Sequence, residues 1–64
     1  MRLLRINEVI EKTTLPRSSI WHEIKYNNFP KPIKITTRTR VWDEAEINEW
    51  ILKRIEARNN DSEN

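Results

Sequence analysis

Basic and hydroxyl side chains recur at helical spacing in one stretch of the 64-residue chain, Arg17 to Asn27. Arginine and lysine bind phosphate as cations, and serine hydroxyls and the free N–H groups of a first helical turn also bind anions. A second basic stretch follows among threonines. The candidate contact residues from the two stretches are Arg17, Ser18, Ser19, His22, Lys25, Arg38 and Arg40. Their chemistry predicts that the chain meets a polyanion.

Charge is unevenly spread along the chain, although the formal net charge is only +2. Residues 1–11 balance at zero, residues 12–42 carry +6, and residues 43–64 carry −4. A basic middle beside an acidic end indicates a polarised surface of the kind that binds nucleic acid on one side. The alternative is ordinary solvated charge, and Lys31 and Lys34 fit that alternative better than the candidate residues do.

Composition excludes several classes of protein. The chain has no cysteine and a single histidine, so we expect no disulfide, no metal site, no cofactor and no nucleophilic catalysis. Paired carboxylates are present, but a 7.8 kDa chain has little room for a pocket around them, so we expect neither an enzyme nor a small-molecule substrate. No apolar run approaches the roughly 18 residues of a membrane span, which predicts a cytoplasmic protein without a membrane partner.

Hydrophobic periodicity predicts three helices and one hairpin. Helices are expected over Ile6–Thr13, from Arg17 to about Asn27, and from Asp43, where Asp43 and Glu46 form a capping-box-like start. Between the last two, Pro30 and Pro32 precede a β-branched alternating run, Ile33–Trp42, with its turn near residues 36–39.

The predicted fold class is therefore mostly α with a small β-hairpin. Helix, tight turn, helix, basic hairpin and helix is the order of a winged helix-turn-helix with a two-stranded wing. We expect one DNA-binding domain over residues 1–58 and a disordered tail over residues 59–64. In the domain, Trp42 and Trp50 are expected in the core with the stripe Ile47, Ile51 and Ile55, whereas the place of Trp21 stays open.

Each candidate contact residue also has a local interpretation. Ser18 and Ser19 are equally suited to capping the second helix, and a lone histidine such as His22 is more often an ordinary surface residue. Lys25 is interpretable as a solvated lysine, and Arg38 as a charge that keeps an edge strand soluble.

The sequence resembles the AlpA family of phage and prophage regulators over about residues 3–58. The resemblance is carried by Leu3-Leu4-Arg5, Glu8-Val9, Thr13 to Ser19, Ile20-Trp21, Phe29-Pro30-Lys31-Pro32, Arg38, Trp42, Glu46-Ile47, Trp50 and Arg54. More distantly, the chain is similar to excisionases and to the DNA-binding part of MerR-type regulators.

The resemblance implies a small winged-helix protein that binds double-stranded DNA as a transcriptional regulator or as a recombination directionality factor. It places Arg17, Ser18, Ser19 and His22 on the recognition helix and Arg38 on the wing. The chain departs from the family pattern, with Thr14 and Asn28 where glycine is common, Pro16 where serine is common, Trp21-His22 where Tyr-Arg is usual, and Thr36-Thr37 in place of wing glycine.

Two functions of different classes follow from these residues. The first is sequence-specific binding of double-stranded DNA, with an integrase or further copies of the chain as partners on the DNA. The alternative is a protein-interaction module, such as an anti-regulator, that docks on an acidic partner through the same basic face. The residues do not separate a regulator from an excisionase.

Overall fold

The computed structural model describes residues 1–61, with the backbone alone described for Asp61. Within that range the elements are β1 (Leu3–Leu4), α1 (Ile6–Thr13), α2 (Arg17–Tyr26), β2 (Ile33–Lys34), β3 (Arg40–Asp43) and α3 (Glu44–Asp61). The predicted fold class is confirmed, because three helices and a small antiparallel sheet are arranged as in a winged helix-turn-helix. No helix of the described part has the length and apolar character needed to cross a bilayer.

The sheet has one strand more than the predicted two-stranded wing. Its order is β1-β3-β2, and both pairings are antiparallel, with Leu4 opposite Trp42 and Ile33 opposite Val41. A strand of two residues is too short to show alternation, so β1 leaves no periodic signal in the sequence. β3 is therefore the central strand, and β1 ties the start of the chain to the base of the wing.

Helix α3 begins at its predicted cap and ends later than predicted. The Asp43 carboxylate accepts a hydrogen bond from the Ala45 N–H at 3.1 Å, which satisfies one of the free donors of the first turn. The helix continues to Asp61, so residues 59–61 are helical where a tail was predicted from residue 59. Once a helix is nucleated, each added residue gains one hydrogen bond that roughly balances the entropy lost in ordering it, so a helix can continue through residues without apolar contacts. Residues 62–64 of the predicted tail lie outside the described residues.

A small core holds the elements together. Its buried side chains are Leu4, Val9, Ile20, Phe29, Trp42 and Ile47. Trp42 is in the core as predicted, and Trp50 packs at its edge with its ring 4.8 Å from Phe29. Ile55 is 40% exposed, contrary to the buried stripe predicted for α3, because the helix outruns the body of the domain after Ile51.

Within residues 1–61, two residues other than glycine hold left-handed backbone, Thr14 at φ 62° and Asn28 at φ 58°. Thr14 ends α1, and its N–H donates to the Ile10 carbonyl at 2.8 Å. Asparagine tolerates this conformation, whereas a β-branched residue is strained in it. The chain contains no glycine, so both turns are made by residues that adopt the conformation at a cost.

Replacing Thr14 with glycine is expected to stabilise the fold. Relief of the left-handed strain exceeds the added chain entropy of glycine, so Thr14→Gly should raise the free energy of unfolding by about 0.5–1 kcal/mol. Urea denaturation measures the change. Asn28→Gly should gain less, and Thr14→Ala, which loses the hydroxyl but keeps Cβ, is the control for side-chain effects. A Thr14→Gly variant less stable than the parent would contradict the interpretation.

Candidate nucleic-acid interface

A cleft of about 270 Å³ lies between the start of α1, the start of α2 and the wing. Its lining includes four exposed arginines, Arg5, Arg17, Arg38 and Arg40. No carboxylate is among the described residues that line it. Three of the arginines were predicted as contact residues from separate stretches of sequence, and the fold brings them to one cleft.

The four guanidinium groups of the cleft have no internal partner in the described part of the chain: none of them forms an ion pair or a side-chain hydrogen bond within residues 1–60. Arg2 differs, because it lies 3.1 Å from a Glu8 oxygen and 3.2 Å from a Glu44 oxygen. The positive charge of the cleft is therefore uncompensated, which favours an anionic ligand.

The turn between α1 and α2 presents the start of α2 at this cleft. Pro16 is the N-cap residue and fixes the backbone there, and among the described residues no side-chain hydrogen bond caps the helix. The local interpretation of Ser18 and Ser19 as caps is therefore not what the structure shows. The N–H groups of the first turn, beside Arg17, lack a side-chain acceptor and are available to an anion.

The exposed face of α2 lies opposite Ile20, which is completely buried. Ser18, His22 and Lys25 are exposed on it, and Ser19 is half-buried. The His22 ring lies 4.8 Å from the Tyr26 ring, and the Lys25 ammonium lies 5.4 Å from that ring. These contacts give His22 and Lys25 a preferred place on the face without covering them.

Glu23 is the one acid of α2. A carboxylate oxygen of Glu23 lies 3.4 Å from His22 Nδ1 and accepts a hydrogen bond from the Asn27 side chain at 3.1 Å. Its side chain is only 17% exposed. The carboxylate therefore lies off the exposed face that Ser18, His22 and Lys25 form.

The wing tip is closed by a threonine hydroxyl in place of glycine. Thr36 Oγ1 accepts hydrogen bonds from the backbone N–H groups of Arg38 at 3.3 Å and Thr39 at 3.1 Å. The Ile35 N–H also donates to the Thr39 carbonyl at 2.9 Å. A side chain that mimics a backbone turn in this way removes the need for a residue with positive φ at the tip. Arg38 is thereby held beside the cleft.

The structure adds residues that sequence reasoning missed. Arg5 and Trp21 line the cleft, and Trp21 is 41% exposed with its ring 6.0 Å from that of Trp42. The i, i+4 spacing of Arg17 and Trp21 was a usable signal, because it puts both on one side of α2. Arg5 had no such signal, since it lies in a charge-balanced segment far from the wing in sequence. Lys31 and Lys34 are exposed and do not line the cleft.

No group of three or more metal-ligating side chains occurs among residues 1–61. The basic cleft is thus the surface whose side chains point most clearly to one type of ligand, an anion.

Comparison with known proteins identifies the family of the chain. Residues 2–55 match the family described as Prophage CP4-57 regulatory protein (AlpA). The chain belongs to the AlpA family.

Two curated relatives of this AlpA-family chain cover most of its length. It is 35% identical to the DNA-binding transcriptional activator AlpA of Escherichia coli (strain K12), over 84% of this chain and 86% of that protein. It is 32% identical to the uncharacterized protein ORF88 of Enterobacteria phage P4, over 89% of this chain and 65% of that protein. No solved structure shows a significant match.

Removing the Thr36 hydroxyl is expected to loosen the wing tip. Thr36→Val keeps the shape but leaves two N–H groups without their acceptor, a local loss of about 0.5–1.5 kcal/mol per hydrogen bond. Amide hydrogen exchange at Arg38 and Thr39, followed by NMR, should become faster. Thr36→Ser retains the hydroxyl and should exchange like the parent. Equal protection in the valine variant would show that the hydroxyl does not hold the tip.

Proposed function

We propose that this AlpA-family chain binds double-stranded DNA with sequence preference and acts as a phage-type transcriptional regulator. One observation carries the proposal: an acid-free cleft unites Arg17 of α2 with Arg38 and Arg40 of the wing. A curated relative that matches most of the chain is itself a DNA-binding transcriptional activator. DNA offers regularly spaced phosphates, which unpaired arginines bind with high preference.

The proposed binding mode places α2 in the major groove. A helix with side chains is about 10–12 Å across and fits a groove of about 12 Å. Arg17 in the first turn then reaches a guanine edge or a phosphate, and the free N–H groups beside it donate hydrogen bonds to a phosphate oxygen. Ser18, Ser19, His22 and Lys25 follow along the helix as further contacts to bases or backbone.

The wing and the start of α1 supply the sequence-independent contacts. Arg38 and Arg40 reach phosphates or a narrow minor groove beside the site. Arg5, across the cleft, contacts the same strand of phosphates. The DNA is thus held from both sides of the recognition helix, and Trp21 on the cleft wall excludes water from the contact.

A fluorescence anisotropy titration tests the proposal. The chain is titrated against a random duplex and against the duplex upstream of its own reading frame, each at two salt concentrations. Tight, salt-dependent binding that prefers the upstream duplex is expected, since released counterions make phosphate binding salt-dependent. Weak binding equal for both duplexes would contradict sequence preference and favour an acidic protein as the partner.

Substitutions in the cleft separate specificity from affinity. Arg17→Ala should cost about 1–3 kcal/mol on the preferred duplex and reduce its preference over random DNA. Arg38→Ala and Arg5→Ala should weaken binding to all sequences alike, and each should flatten the salt slope by about one unit. Lys53→Ala, which removes an exposed charge outside the cleft, is the control. Affinity unchanged in all three arginine variants would remove the proposed interface.

A role as an excisionase makes a further demand on the complex. One small module reads only a few base pairs, so an excisionase needs adjacent copies and bent DNA, whereas a regulator needs only to overlap a promoter. A circular-permutation assay measures the bend. We expect anomalous mobility that depends on the position of the site if the chain also serves excision, and uniform mobility if it acts at a promoter alone.

A further inference from the structure

The second half of α3 projects from the domain without covering it. Ile51 is the last residue of the helix that packs against the core, and every residue from 52 to 60 is exposed. At 1.5 Å per residue this exposed part is about 14 Å long. Leu52 is 57% exposed and Ile55 is 40% exposed, so the projecting helix presents apolar side chains to solvent.

One face of this helix forms a groove with the turn between α1 and α2. Ile51, Arg54, Ile55 and Arg58 follow one another at i, i+3, i+4 and i+7, and Leu15 closes the other wall. The volume of the groove is about 530 Å³. We call it the basic groove, because an apolar floor is rimmed by arginines.

Charge in the basic groove is mostly unpaired. Arg54 lies 5.5 Å from the Trp50 ring and Arg58 donates to the Asn59 side chain, and neither forms an ion pair with a carboxylate within residues 1–60, whose side chains the structure describes. Lys12 also lines the groove, with its ammonium 3.7 Å from a Glu44 oxygen. Glu23 is the one carboxylate in the described lining, and it is already engaged by His22 and Asn27.

Another face of the same helix has the complementary chemistry. Glu49, Leu52 and Glu56 follow at i, i+3 and i+7, about 100–160° around the helix from Ile51. We call this face the acidic ridge. Glu49 lies 3.4 Å from the Lys53 ammonium, but both side chains are 71% exposed, and such a surface pair contributes little and exchanges easily.

We propose that the acidic ridge of one copy docks into the basic groove of the next when copies lie side by side on DNA. Leu52 would enter the apolar floor, and Glu49 and Glu56 would meet the two arginines of the rim. The contact is head-to-tail, since ridge and groove are different surfaces of one chain. The inference rests on the proposed DNA binding and leaves it undisturbed, because the groove and the arginine cleft share no lining residue.

The small size of the groove means that the contact is weak between free copies and effective only between copies bound to the same DNA. A few side chains bury far less than the roughly 1,200 Å² of a stable interface, so free copies associate weakly. On one duplex, neighbouring copies are held at high effective concentration, and a weak contact then becomes cooperative binding. A second copy is the occupant that the charges favour, because each chain supplies both halves of the complementary pair.

Charge reversal with complementation in mixtures tests the proposal. The groove variant carries Arg54→Glu and Arg58→Glu, and the ridge variant carries Glu49→Lys and Glu56→Lys. Binding is measured on a duplex of about 200 base pairs and on a short duplex that admits one copy. The parent should bind the long duplex cooperatively, and each variant alone should lose about tenfold in the cooperativity factor. An equimolar mixture of the two variants should regain it, because basic ridges then meet acidic grooves and the reverse.

Controls keep this inference separate from DNA binding itself. Binding to the short duplex measures the affinity of a single copy for DNA. This affinity is expected to fall in the groove variant, because two positive charges become negative, whether or not copies dock on each other. Lys31→Glu makes the same charge change as Arg54→Glu at an exposed position that lines neither the groove nor the arginine cleft, and it should retain cooperativity. Circular dichroism checks that the variants fold.

Three outcomes would overturn the inference while leaving the proposed function in place: independent binding by the parent on long DNA, variants as cooperative as the parent, or a mixture that fails to recover. The last of these would assign the groove to a different protein. Absence of binding to either duplex would instead refute the proposed function.

Discussion

The position of Trp42 is the constraint on which the rest of the structure depends. Its side chain is 1% exposed, lies on the central strand β3 and is opposite Leu4 of β1. Its indole N–H donates to the Pro30 carbonyl at 3.0 Å, and its ring contacts that of Trp21 on α2. One residue therefore connects the start of the chain, the proline segment, the wing and the candidate recognition helix.

The same core also separates the basic side chains from most of the acidic side chains on the surface. Elements that meet at Trp42 bring four arginines to one cleft, whereas most carboxylates of the chain lie on α1 and α3. Ion pairs such as Arg2 with Glu8 and Glu44 neutralise bases away from the cleft. The chain carries a net charge of only +2, yet it presents a strongly basic surface where the start of α1, the start of α2 and the wing converge.

A chain without glycine makes its turns by other means. Thr14 and Asn28 take left-handed backbone at the ends of α1 and α2, and the Thr36 hydroxyl closes the wing. The resemblance to the AlpA family identified these as positions where glycine is common. At these positions the backbone keeps its turns without glycine. Thr14 and Asn28 adopt a positive φ although they have a Cβ atom, and the Thr36 hydroxyl stabilises the wing tip by accepting hydrogen bonds.

The sequence by itself determined the helices, the hairpin, the fold class and three of the four arginines that line the cleft. Those features rest on local patterns: apolar spacing in α1, the Asp43 cap, and arginines without acidic neighbours. Only the tertiary structure decided that Arg5 and Trp21 join the cleft, that β1 pairs with β3, and that Ile55 is exposed. These facts depend on contacts between residues distant in the chain and on where α3 outruns the core. The spacing of residues along the chain does not encode these contacts or the point at which α3 leaves the core. A side chain is buried only where another element of the fold packs against it.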